Sequence, residues 1–169
     1  MEGEQGMKRS DKYLILIVAG ALLLVAITLV VTLTRPEPAY RDEDTPEGVA
    51  HNYLLALQQE DFERAFGYLS PSLDGHPEDV DAFREDIRRY SWRFQVSEDT
   101  TLSIVSSKTS DDDATVTVRE TRFVVGDLFE SSERIRTFEM ALAREGSDWM
   151  IEDADSYFAP CWNTEQGCR

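Results

Sequence analysis

The side chains best suited to proton transfer lie near the C-terminal end, where Glu152, Asp153 and Asp155 follow the alternating apolar pair Trp149 and Ile151. A carboxylate set there against an apolar wall would have its pKa raised by desolvation and serve as a general acid or base, with the Tyr53 and Tyr90 hydroxyls as hydrogen-bond donors. Period-two alternation from Trp149 and Ile151 carries Asp153 and Asp155 to the inner face of a strand. Asp153, Asp155 and Tyr53 are therefore the candidate catalytic residues, weighed against the simpler reading that acids late in a strand sit at a fraying end.

Other chemistries find less support. His51 and His76 stand 25 residues apart with no short-range ligand pair around either, so no metal is expected. Asp111, Asp112 and Asp113 lack the alternating ligands and the glycine of a calcium loop and read as a solvated hairpin turn. There is no glycine-rich phosphate loop, serine nucleophile elbow or Cys/His dyad, and no cofactor is expected. The two cysteines, Cys161 and Cys168, enclose a short loop, and an even pair confined to the tail reads as a disulfide formed in an oxidising compartment. The alternative is two free thiols on a disordered end.

The elements that would position these groups follow from periodicity. Thr45 caps a helix opened by Pro46, with Val49, Tyr53, Leu54 and Leu57 on one face, over about 46–59. Asp61 caps a second helix in which Phe62, Ala65, Phe66 and Leu69 form a stripe ending at Ser70-Pro71. Val80, Phe83, Ile87 and Tyr90 mark a third over about 77–90. The period then changes to two through Trp92, Phe94 and Val96; Leu102 and Ile104; Ala114, Val116 and Val118; Phe138, Met140 and Leu142; Trp149 and Ile151. Turns at 110–113 and 145–148 make hairpins. Tyr53, Phe62, Phe66, Phe83, Tyr90, Trp92 and Phe94 read as core. Three helices followed by a run of strands is the pattern of an α+β domain, with helices on one face of a curved antiparallel sheet of four to six strands.

Ahead of that domain, Tyr13 to Thr34 runs 22 residues without a charged side chain or histidine, about 33 Å of helix against a hydrocarbon core of about 30 Å. It reads as an N-terminal transmembrane helix. A cleaved secretory signal is the competing reading, disfavoured by the length of the run and the lack of a small-x-small site after it. Lys8, Arg9 and Lys12 before the run outnumber Arg35 and Arg41 after it, which places the N-terminus in the cytoplasm and the remainder outside a cell membrane crossed once. The organisation expected is 1–12 cytoplasmic, 13–34 spanning, 35–45 an extended linker, 46–158 the folded domain and 159–169 a tail carrying the cysteine pair. The net charge of −16 falls entirely after residue 34 and argues against nucleic acid as a partner.

The stretch EGVAHNYLLALQQEDFERAFGYLSP resembles the opening two helices of nuclear transport factor 2-like domains, and EMALAREGSDWMIEDAD is similar to the last hairpin of that family. The resemblance covers about Glu47 to Tyr157. It implies a cone-shaped, cystatin-like α+β fold with a pocket between helices and sheet, and looks most like uncharacterised bacterial membrane-anchored members. Enzymes and non-enzymes share that fold, so it does not assign an activity. The expected function is a non-enzymatic, membrane-anchored extracytoplasmic binding or interaction domain holding a small apolar ligand or docking a cell-envelope protein. The alternative is a cone-fold lyase or isomerase acting on a small apolar substrate.

Overall fold

The computed structural model describes residues 9–33, 38–95, 100–125 and 131–168. Two compact units divide at Pro38/Ala39. The first contains one helix, α1 (Arg9–Leu33). Among the described residues no helix is long and apolar enough to cross a membrane. The expected transmembrane helix is thereby corrected, and with it the single-pass cell-membrane placement and the cytoplasmic and extracytoplasmic sides assigned from it. Residues 1–8 and 34–37, on which part of that expectation fell, lie outside the described residues.

The second unit is α+β. Helices α2 (Pro46–Gln58), α3 (Phe62–Phe66) and α4 (Val80–Arg89) precede strands β1 (Thr100–Ser110), β2 (Asp113–Val125), β3 (Ser131–Glu145) and β4 (Asp148–Ala154). The strands form one antiparallel sheet in sequence order. The caps act as their residue types dictate. The Thr45 side chain accepts from the Gly48 N–H, Asp61 from Arg64 and Asp79 from Ala82, each satisfying a donor that the first helical turn leaves open. Asp111 and Gly146 take left-handed conformations in the two tight hairpins.

α3 stops at Phe66, short of the expected stripe, because Leu69 leaves the helix to bridge Ile151. Ser70 N–H donates to Ile151 O at 2.9 Å and Ile151 N–H to Tyr68 O at 2.8 Å, closing the β4 edge. The expected strand through Trp92 and Phe94 is instead a turn: Phe94 is buried but Trp92 is 64% exposed, and Val96 lies outside the described residues. The apolar pattern misled there because Phe94 alone is needed inside.

The core is finished by the segment after β4. Tyr157, Phe158, Ala159, Cys161 and Trp162 are buried. The Trp162 ring stacks on Phe83 at 5.2 Å and meets Phe158 edge-on at 4.9 Å, while its indole N–H donates to Asp86 Oδ2 at 2.9 Å. A disulfide joins Cys161 to Cys168. Gly75 seats this segment: its N–H donates to Trp162 O at 2.9 Å, and a β-carbon there would run into Cys161 O and lie 2.7 Å from Thr164 O. Gly75→Ala should therefore cost on the order of 1–3 kcal/mol, read from the urea midpoint, because backbone carbonyls rather than pliable side chains must give way.

Asp86 supplies a pH test. Burial raises its pKa above the usual carboxylate value against the opposing pull of the Trp162 indole, so folding penalises the charged form. That penalty is present at neutral pH and is relieved as pH falls through the raised value. Asp86→Asn, which keeps an acceptor for the indole, should melt above wild type at neutral pH, with the gap closing in acid. A pH-independent gap would mean that ionisation of Asp86 is not its cause.

Candidate functional site

Inner-face residues alternate along the two central strands. In β2 they are Ala114, Val116, Val118, Glu120 and Arg122, paired in register with Leu142, Met140, Phe138, Arg136 and Arg134 of β3. The first three pairs are apolar and buried beneath the helices, and the last two are charged. The apolar alternation ends at Val118 and Phe138, and the same period carried four residues further along β2 and four back along β3 places Glu120 opposite Arg136 and Arg122 opposite Arg134.

Glu120 is 3% exposed. Its Oε2 accepts from Arg136 Nε at 2.9 Å, from Arg136 Nη2 at 2.7 Å and from the Tyr157 hydroxyl at 3.1 Å, and its Oε1 accepts from Arg122 Nη2 at 3.2 Å. Arg136 Nη2 also reaches Ser156 Oγ at 3.0 Å, and Arg122 Nη2 reaches Gln95 O at 3.2 Å. The Glu120 hydrogen bonds raise the Arg136 pKa, and burial, reinforced by the Glu120 charge, pushes the Tyr157 hydroxyl well up. The Arg136 guanidinium and the Tyr157 phenol are thus held in their ordinary neutral-pH forms.

Above this cluster opens a cleft of about 610 Å³, lined by Trp92, Gln95, Glu120, Arg122 and residues 133–136. The 91–94 turn makes one wall and the ends of β2 and β3 make the other. The rest of the cone interior is occupied by the protein's own rings, including Phe94, Phe138, Tyr157, Phe158 and Trp162.

The residues singled out from the sequence do not meet at this cleft. Tyr53 is fully buried and donates to Tyr157 O at 2.6 Å; burial pushes its pKa well up. Asp153 and Asp155 are exposed. The reason is a bulge in β4: Leu142 pairs with Ile151 but Ala141 pairs with Asp153, so Glu152 is the extra residue and the alternation inverts after it. Ala154 takes the inner position instead, and Asp155 turns to accept from Glu139 N–H at 3.0 Å. Glu152 is half-buried, and its pKa is raised by burial, with Asp113 and Glu145 adding to it. Tyr90 is likewise half-buried.

His51 Nε2 lies 3.2 Å from Ala39 O and the His76 ring packs against Phe66 at 5.1 Å. Among the described residues no group of three or more His, Cys, Asp or Glu side chains is placed to hold a metal ion.

No protein-family model matches the chain, and no curated protein matches it. Solved structures do. A SEC-C motif containing protein from Rhodopseudomonas palustris is 17% identical over 70% of this chain and 83% of its own, with a TM-score of 0.47. A protein with a cystatin-like fold from Novosphingobium aromaticivorans is 12% identical over 83% of this chain and 94% of its own, with a TM-score of 0.44. A cystatin-like protein of unknown function from Nostoc punctiforme is 12% identical over 63% and 82%, with a TM-score of 0.42. The solved structures that this chain is similar to include nuclear transport factor 2-like proteins, the Novosphingobium aromaticivorans one having a cystatin-like fold, and this is the superfamily that its sequence resembles.

Proposed function

We infer that the second unit is a non-enzymatic binding domain that holds a small ligand in the open cleft between the 91–94 turn and the ends of β2 and β3. One observation carries this reading: the cleft is walled by an exposed indole and arginine side chains, and its one buried carboxylate, Glu120, is already saturated with donors. A cleft of this size suits a ligand of drug-like dimensions, with a few polar groups fixing its orientation. The filled cone speaks against a wholly enclosed apolar ligand. The exposed positions of Asp153 and Asp155 weaken the lyase or isomerase alternative, since neither faces the cleft.

The test uses the full chain and a set of small neutral and charged aromatic compounds, following the three indole N–H signals by NMR. Trp92 should shift, while Trp149 and Trp162, both buried, should not. Compounds that move only signals remote from Trp92 would overturn the assignment of the cleft.

A further inference from the structure

The cleft holds more positive charge than its own carboxylates consume. Arg136 and Glu120 neutralise one another through two short hydrogen bonds. Arg122 gives Glu120 a single contact at 3.2 Å through a nitrogen it shares with Gln95 O. Arg134, directly opposite Arg122 in the β2–β3 register, is exposed, and its side chain makes no hydrogen bond or ion pair among the described residues. Like charges facing one another across adjacent strands destabilise a sheet. Here they stand side by side on a chain whose net charge is −16, where acidic partners are plentiful elsewhere. An anion placed between them removes the repulsion.

The opposite wall supplies the second half of the recognition. Trp92 is 64% exposed on its turn, with the Arg93 guanidinium 5.4 Å from its ring, and leaves a broad indole surface over the cleft. Resting on the binding-domain reading above, we propose that the ligand is a small aromatic carboxylate, its carboxylate forked between Arg122 and Arg134 and its ring laid against Trp92. Guanidinium donors suit a planar carboxylate. Glu133 at the rim and the acidic surface beyond it disfavour a multiply charged anion, which selects a monocarboxylate over a phosphate.

The experiment titrates the full chain with naphthoate and with its neutral isostere naphthamide, followed at the Trp92 indole signal, and repeats both with Arg134→Gln. The Arg134 side chain is exposed and without a partner among the described residues, so the variant should fold, which an unchanged melting temperature or a slightly higher one confirms. Naphthoate should bind about tenfold more tightly than naphthamide, and Arg134→Gln should abolish that difference while leaving naphthamide binding unchanged. Equal binding of the two compounds to the wild type overturns the carboxylate assignment yet leaves the cleft standing as a binding site. Failure of both to shift Trp92 while other compounds shift it has the same meaning. Inorganic phosphate that displaces naphthoate at equal concentration also overturns the proposal, since the site would then read charge without the ring.

Discussion

Replacing Trp162 with alanine is expected to destabilise the domain by about 3–5 kcal/mol, which approaches the whole stability of a unit this size. The ring is fully buried, stacks on Phe83, packs against Phe94 and Phe158, and its N–H occupies Asp86. Truncation leaves a large cavity and a buried carboxylate that has lost its donor, and these two losses reinforce one another. Urea unfolding followed by circular dichroism measures the effect. Trp162→Phe should recover most of the packing and none of the hydrogen bond, so it should fall between the two. A wild-type midpoint in the alanine variant would mean that the 157–162 segment is not part of the core.

The second large effect is expected at Arg136. Arg136→Met strips two of the four hydrogen bonds from the Glu120 carboxylate and leaves a charge that is 3% exposed relying on Arg122 and Tyr157. Uncompensated buried charge costs about 3–5 kcal/mol, and the two remaining partners put the expected loss near the lower bound, about 3 kcal/mol. Glu120→Gln should cost less, because the arginines that it releases are partly exposed and rehydrate. The order of the two variants is the informative quantity. If Glu120→Gln proves the more damaging, the carboxylate holds the site together rather than being held by it.

Much of this architecture is legible in the sequence because its determinants are local. Thr45-Pro46 caps and opens α2, Asp61 caps α3, and the turn at 110–113 and Gly146 fix two hairpins, so the pairing of β1 with β2 and of β3 with β4 follows from adjacent residues. The site was less legible for two different reasons. Glu120, Arg122, Arg134 and Arg136 obey the alternation of their strands, but charged residues on a core face look like the end of a strand until their partners are known. Asp153 and Asp155 were assigned to the inner face by an alternation that the bulge at Glu152 inverts, and nothing local in Ile151-Glu152-Asp153 announces a bulge. Trp92, expected in the core, is exposed for a related reason. The tryptophan in the apolar run is exposed, and the one beside the cysteines is buried, because tertiary packing and not composition decides which ring the cone encloses. α1 is a case of its own: its apolar composition is plain, yet among the described residues no helix is long and apolar enough to cross a membrane.

The closing of the core by the 157–162 segment has a kinetic consequence. The Tyr53 hydroxyl is satisfied by the carbonyl of a residue 104 positions later, and Asp86 by an indole 76 positions later. Neither bond has a local substitute, so α2 and α4 acquire their final partners only after the whole sheet has been threaded between them. Such non-local pairings require loop closure before they return any stabilisation, and they slow folding relative to a helical domain of equal length. The hairpins β1–β2 and β3–β4, whose contacts are close in sequence, carry little of that loop-closure cost.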